Sequence, residues 1–294
     1  AVLGSDVSSI VGNNSAFAAI KADGSVVTWG SSSSGGDSSS VESSLSSDVS
    51  SIVSTGTAFA ALKGDGSVVT WGYSDYGMET GADSSSVDLS SGVSSIVSAD
   101  GAFAALKEDG SVVTWGDPDR GGDSASVADS LTNVSSIVSN GNAFAAIKTD
   151  GSVVTWGYGS NSSDSYNYGG DSSSVASSLS SGVSSIVSNG YAFAAMKTDG
   201  SVVTWGRDSY GGDSSSVESS LSSGVSSIVG ADLAFAALKE DGSVVTWGSS
   251  ANGGNSSGVA SSLTSGVSSI VSAGEAFAAL KEDGSVVTWG YGSK

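Results

Sequence analysis

No histidine and no cysteine occur in these 294 residues, so the side chains left to do chemistry are carboxylates, hydroxyls, amines and two guanidinium groups. Without imidazole a nucleophile–His–acid relay cannot be assembled, and the many serines lie in low-complexity runs with no base nearby. Without thiolates there is neither a disulfide framework nor a cysteine metal site. Paired carboxylates could in principle act as acid and base. However, the acids that recur (Asp23, Asp65, Asp109, Asp150, Asp199, Asp241 and Asp283) each precede a glycine between two β-rich runs. Asp-Gly in that setting is explained by the backbone geometry of a tight hairpin. Lys21, Lys63, Lys107, Lys148, Lys197, Lys239 and Lys281 flank these turns and read as solvated hairpin ends. Asp164 and the acids Asp75, Glu79 and Asp83 offer oxygen ligands, but no segment follows the Asp-x-Asp-x-Asp-Gly order of a calcium loop. A Gly-x-Gly-x-x-Gly phosphate loop is likewise absent. The expectation is therefore a protein that is not an enzyme, with no catalytic residue, metal site or cofactor.

Any such groups must be positioned by a repeating frame. The phrase Ala-Phe-Ala-Ala-Ile-Lys-x-Asp-Gly-Ser-Val-Val-Thr-Trp-Gly recurs seven times with small changes, marked by Trp29, Trp71, Trp115, Trp156, Trp205, Trp247 and Trp289. Successive tryptophans lie 42, 44, 41, 49, 42 and 42 residues apart, the period of a propeller blade. Each unit predicts three strands, in the second unit Val49 to Ser54, Ala58 to Lys63 and Ser67 to Trp71. Alternation sends Phe59 and Ala61 to one face and Ala58, Ala60 and Leu62 to the other. Such two-sided apolar strands need a neighbour on each flank, which stacked repeats provide. The Asp37 to Leu45 segment carries Asp37 as a helix N-cap and Val41 and Leu45 at i,i+4, which predicts one or two helical turns or an irregular outer segment, with a fourth strand as the alternative.

The fold expected is all-β: a seven-bladed β-propeller with mainly three-stranded blades and short helical or irregular outer connectors. It forms a single domain over 1–294, with repeats at about 1–36, 37–82, 83–122, 123–170, 171–212, 213–254 and 255–294. An open solenoid would need polar terminal repeats, yet the first and last units keep the apolar pattern, so closure by non-covalent contact between them is expected. The phasing would also suit an excised domain or a designed protein.

These residues resemble a known family. Phe-Ala-Ala-Leu-Lys-x-Asp-Gly-Ser-Val-Val-Thr-Trp-Gly followed by a Gly-rich loop resembles the regulator-of-chromosome-condensation repeat. The shorter period and the Ser-Gly-Val-Ser-Ser-Ile lead-in look still more like the propeller-type β-lactamase inhibitor proteins. The first resemblance implies nucleotide exchange on a small GTPase and chromatin binding, but ten basic residues and no histidine argue against contact with nucleic acid. The second implies enzyme binding through aromatics in the loop between first and second strands. The matching positions are Ser15, Thr57, Gly101, Asn142, Tyr191, Leu233 and Glu275, of which Tyr191 alone is aromatic, so that activity does not carry over.

Comparing the seven units with one another locates the candidate site. The loop between first and second strands and the loop after the third emerge at the same end of a three-strand meander, and these are the segments that vary. They hold Tyr73, Tyr76, Arg120, Tyr158, Tyr166, Tyr168, Tyr191, Arg207 and Tyr210, residue types that anchor interfaces. The competing reading is drift of tolerant surface loops. A net charge of −20 repels nucleic acid and anionic membranes and favours a soluble monomer, and the longest apolar runs fall far short of a membrane span. No secretory leader is legible at the start of the sequence, and the acidic coat suits a secreted or cell-surface protein. The leading expectation is a binding or scaffold propeller with a protein partner. The alternatives are a structural or designed repeat protein with no natural ligand, and a multivalent lectin whose tryptophans act as sugar platforms. Against the lectin, the fixed place of tryptophan within a strand favours packing between blades.

Overall fold

The computed structural model describes residues 5–73, 81–159 and 166–292. Its strands form seven three-stranded antiparallel sheets, each in simple meander order. In the second sheet they are Val49–Ser54, Ala58–Lys63 and Val68–Gly72, so the third begins and ends one residue later than the sequence predicts. Val-Val-Thr-Trp supplies the β-branched and aromatic side chains that a pleated, packed surface favours. In this register Phe59 lies opposite Trp71, and their aromatic rings stack with centroids 5.2 Å apart.

The hairpin between second and third strands shows why Asp-Gly recurs. The Gly66 amide donates to the Lys63 carbonyl, and Gly66 sits at a φ of 77°. A side chain there would be strained and would meet the Gly92 amide nitrogen at 2.8 Å. The Asp65 carboxylate accepts from the Ser67 hydroxyl at 2.6 Å and from the Ser67 amide at 2.9 Å. These bonds, the hydroxyl first, hold the Asp65 carboxyl below the usual aspartate range. Asp23, Asp109, Asp150, Asp199, Asp241 and Asp283 are lowered by the same pair of serine bonds. The repeated acids are turn-makers.

Packing divides the chain into two compact units, Ala1–Phe144 and Ala145–Lys294. Within the first, Ala16, Ala18 and Ile20 of one sheet pack against Phe59, Ala61 and Trp71 of the next. On its other flank the second sheet presents Ala58, Ala60 and Leu62 to Phe103, Ala105 and Trp115. The predicted division of each strand into two apolar faces is what the structure contains. The second unit repeats the joint, with Ala192 and Ala194 against Phe235, Ala237 and Trp247. The alanines are fully buried, which leaves room for the neighbouring phenylalanine.

The outer connectors are short 3-10 turns such as Ser39–Val41, with one α-helical turn at Glu218–Leu221. Among the described residues they carry no fourth strand, since every sheet has three. The capping assignment is corrected. Ser38, not Asp37, holds the N-cap position, and Asp37 instead accepts from the Ser39 amide in a turn one residue earlier. The lysines also do more than solvate the hairpins. Lys63, Lys197, Lys239 and Lys281 donate to the carbonyls of Ser44, Ser178, Ser220 and Ser262, tying each connector to its hairpin.

Exposure separates otherwise equivalent side chains. Phe59, Phe103, Phe144, Phe193 and Phe235 are fully buried, whereas Phe17 in the first sheet (Val7–Gly12, Ala16–Lys21, Val26–Gly30) is 45% exposed. In the seventh sheet (Val267–Ala273, Ala276–Lys281, Val286–Gly290) Leu280 and Val286 are exposed.

Two outcomes follow from this packing and these turns. Phe103→Ala should lower unfolding free energy by about 3–5 kcal/mol, the cost of emptying a buried phenylalanine site. Phe17→Ala should cost less than half as much in the same urea titration, and equal losses would contradict the exposure described. The lowered aspartates contribute stability in full above about pH 4, the ordinary value in an unfolded chain. That contribution is lost as pH falls through their lower folded values. Urea midpoints measured from pH 7 to pH 2 should hold steady and then drop below about pH 4. Asp65→Asn, which keeps an acceptor oxygen for Ser67, should soften that drop.

Candidate recognition site

Three backbone positions define the loop end of each sheet. One lies in the loop between first and second strands, one follows the Trp-Gly of the third strand, and one precedes the next loop glycine. A hydrogen bond joins the first two. The Tyr73 amide donates to Thr57, Asp117 to Gly101, Arg207 to Tyr191 and Ser249 to Leu233. Because these bonds are made by the main chain, side chains at the three positions can change while the frame stays fixed.

Five of these six positions in the fourth and fifth sheets are filled by tyrosines and one arginine, the sixth being Asn142. Tyr158 follows the strand Val153–Gly157, and Tyr168 precedes Gly169. In the fifth sheet (Val183–Ser188, Ala192–Lys197, Val202–Gly206) Tyr191, Arg207 and Tyr210 take the three positions in order. All belong to the second compact unit. Tyr158 stacks on Tyr168 with centroids 4.7 Å apart, and Tyr166 lies parallel to Tyr168 at 6.3 Å. Tyr191 meets Tyr168 edge-on at 5.1 Å and Tyr210 at 5.3 Å. The Arg207 guanidinium carbon stands 4.6 Å from the Tyr166 ring centre, 4.4 Å from that of Tyr210 and 5.6 Å from that of Tyr168. Arg207 also donates to the Tyr168 hydroxyl at 3.2 Å. Tyr166 is 54% exposed, and the other five are half-buried.

The repeat itself fixes this cluster from below. The Trp205 indole N–H donates to the Gly169 carbonyl, the residue after Tyr168. Trp247 of the sixth sheet (Val225–Gly230, Ala234–Lys239, Val244–Gly248) donates to the Gly211 carbonyl, the residue after Tyr210. Gly211 has a φ of 103°, and a Cβ there would come 2.7 Å from the Phe235 ring, so the loop turns where only glycine fits. Asn189 adds a second brace. Its side-chain oxygen accepts from the amides of Tyr191 and Ala192, and its amide donates to the Tyr210 carbonyl at 2.6 Å. Asn167 braces the other loop, accepting from the Gly169 amide and donating to the Asp171 carbonyl. Neither asparagine is among the residues picked from sequence. For Asn189 the available signal was a side-chain acceptor directly after the first strand, where a loop has amides to satisfy.

The remaining sequence candidates lie elsewhere. Arg120 belongs to the first unit and is occupied by Asp100 at 3.1 Å, Asp117 at 3.4 Å and the Asn142 side-chain oxygen at 3.1 Å. Tyr73 also lies in the first unit, held through its amide by Thr57. Tyr76, together with Asp75, Glu79 and Asp164, lies outside the described residues. Asp83 accepts from the Ser85 amide, and among the described residues no group of three acidic side chains is placed to hold a metal. Trp71, Trp115, Trp156, Trp205, Trp247 and Trp289 are buried, and so are not sugar platforms.

No family model and no curated protein matches the sequence. Solved structures do match. Human WBSCR16 aligns over 84% of this chain and 77% of its own with 17% identity and a TM-score of 0.51. Prp20p from Saccharomyces cerevisiae aligns over 83% and 72% with 14% identity and a TM-score of 0.47. The CRINKLY WD40 ectodomain of the Arabidopsis thaliana receptor kinase ACR4 aligns over 98% of both chains, with 17% identity and a TM-score of 0.46. At 17% identity the likeness to WBSCR16 concerns fold alone, and it agrees with seven three-stranded sheets in meander order. The fold is a seven-bladed β-propeller.

Asn189→Ala tests whether the cluster is held from below. It should lower unfolding free energy by about 1–3 kcal/mol, since it leaves loop amides and a carbonyl without their partner. Hydrogen exchange at the Tyr191 and Ala192 amides should quicken at least about tenfold, the factor that 1.4 kcal/mol of local opening gives. Unchanged exchange would show that the loop stands without its brace.

Proposed function

We propose that this propeller is a non-enzymatic binding protein that recognises a protein partner through the tyrosine–arginine cluster on its fourth and fifth blades. The observation that carries the reading is the convergence of Tyr158, Tyr166, Tyr168, Tyr191, Tyr210 and Arg207 on two blades, over loops braced by Trp205, Trp247 and Asn189. Tyrosine offers large amphipathic contact area with two side-chain torsions to freeze, and arginine adds directional donors. Loops fixed in advance lower the ordering cost of association. Five tyrosines in contact at a solvent-facing loop end are more than the fold needs, because the first and sixth blades fill the same positions with serine, leucine and asparagine, as at Ser31, Leu233 and Asn252.

A second reading is supported by the repeat. Ser-Val-Val-Thr-Trp-Gly is identical in all seven units, as expected of a structural or designed repeat protein whose one requirement is its fold. Affinity capture from an extract of the source organism separates the two. The unaltered protein should retain a partner, and a variant carrying Tyr166→Ala, Tyr168→Ala and Tyr210→Ala should bind it at least about thirtyfold more weakly, the size of a lost hot spot. Its melting temperature should stay within about 5 °C of the parent's, a shift of about 1–2 kcal/mol or less. Equal capture by both proteins would reject this site, and a failure of the unaltered chain to retain anything would favour the structural reading.

A further inference from the structure

The two arginines occupy comparable loops and meet opposite fates. Arg120 is enclosed by acceptors, with Asp100 and Asp117 as ion-pair partners and Asn142 as a further acceptor. Arg207 has no carboxylate within ion-pair distance among the described residues, although acids outnumber basic residues by 30 to 10 in this chain. Asp208 is adjacent in sequence and exposed, yet forms no ion pair with it. What surrounds Arg207 is aromatic: Tyr166, Tyr168 and Tyr210.

Such an environment immobilises the cation without using up its hydrogen-bonding capacity. Contact with an aromatic ring face draws on charge, whereas a guanidinium carries five N–H donors in its own plane. One of these is given to the Tyr168 hydroxyl. The backbone beneath is fixed as well, with the Arg207 amide on the Tyr191 carbonyl and the Arg207 carbonyl accepting from Tyr210 and Gly212. The result is a half-buried, oriented fork of donors in a setting lined by aromatic rings, where a charge-assisted bond is stronger than in open water.

We propose that Arg207 is a carboxylate receptor, and that the protein recognised at this cluster presents an acidic side chain or its own terminal carboxylate to the guanidinium edge while its apolar neighbours rest on the tyrosines. This rests on the protein-binding reading above and adds the chemical identity of the group bound. It also runs against what net charge alone would favour. An overall −20 favours basic partners, whereas this locus carries an arginine without an acidic partner among the described residues. Planar, two-point recognition is what distinguishes arginine from lysine here, since an ammonium cannot offer parallel donors to both carboxylate oxygens.

The experiment uses the full chain labelled with [15N]arginine. With two arginines in the sequence the spectrum holds two side-chain Nε–H signals, assigned by the loss of one in Arg207→Lys. Three capped tripeptides serve as probes: acetyl-Gly-Gly-Glu-amide, acetyl-Gly-Gly-Gly with a free carboxylate, and the neutral acetyl-Gly-Gly-Gln-amide. The Arg207 signal should move and saturate with at least one carboxylate probe and stay in place with the glutamine probe, while Arg120 stays in place throughout. The glutamate and triglycine arms separate a side-chain carboxylate from a chain terminus by which of them saturates at the lower concentration. Arg207→Lys, which keeps the charge, should weaken binding of the effective probe at least about tenfold, as judged from tyrosine ring shifts, because one of two charge-assisted bonds is lost. A stationary Arg207 signal with both carboxylate probes, or an equal response to glutamine, would overturn the proposal. If a captured partner is lost in the tyrosine variants but kept by Arg207→Gln, the binding site stands and the carboxylate assignment falls.

Discussion

An indole buried between two sheets still carries an N–H, and a donor left unpaired in a dry interface costs about 1–3 kcal/mol. Trp71, Trp115, Trp205, Trp247 and Trp289, each almost wholly buried, meet this requirement in one way. Each donates to a glycine carbonyl in the loop of the preceding blade: Gly35, Gly81, Gly169, Gly211 and Gly253. On its ring face each tryptophan stacks on the phenylalanine opposite it in the same sheet, as Trp247 does on Phe235 at 5.3 Å. One side chain thus fixes three things: the packing of its own sheet, the spacing to the neighbouring sheet and the course of the neighbour's loop. The loops that hold the tyrosine–arginine cluster are therefore set by the core and do not float on it.

This coupling explains what could be read in advance. Strand placement and the division of apolar residues between two faces depend on local alternation and on Asp-Gly, so Phe59 and Ala61 on one flank and Ala58 and Leu62 on the other are legible from sequence. The Asp37 reading failed by one residue because serine and aspartate both accept from nearby amides, and the turn selected the Ser39 amide one step too early for a cap. The lysines were misread for a different cause. Their partners, such as the Ser178 carbonyl for Lys197, lie 19 residues away in the outer connector, and no local pattern announces them.

For the site, sequence identified which loops vary but not which of their side chains would meet. Arg120 and Arg207 carry the same signal in one dimension. They part because the first unit places Asp100 and Asp117 beside Arg120, while the second places three tyrosines beside Arg207. Asn189 was not counted a site residue because its value lies in a bond to the Tyr210 carbonyl, 21 residues on. The frame here is specified by short-range rules and the cluster by long-range adjacency.

That adjacency also resolves the apparent conflict between an acidic protein and an anion-seeking group. At physiological salt, charges in open solvent are damped beyond about 8 Å. A partner approaching the fourth and fifth blades therefore feels the distant carboxylates weakly and the nearest oriented charge strongly. Many of the acids are also bound into local turns, as Asp199 is by the Ser201 hydroxyl and amide. Among the described residues none of them pairs with Arg207. On the proposed reading, net charge discourages indiscriminate contact, while the guanidinium held against Tyr166 and Tyr210 sets the sign of contact at these loops. Selectivity in such an arrangement comes from repulsion spread over the surface and attraction concentrated at a single fixed point.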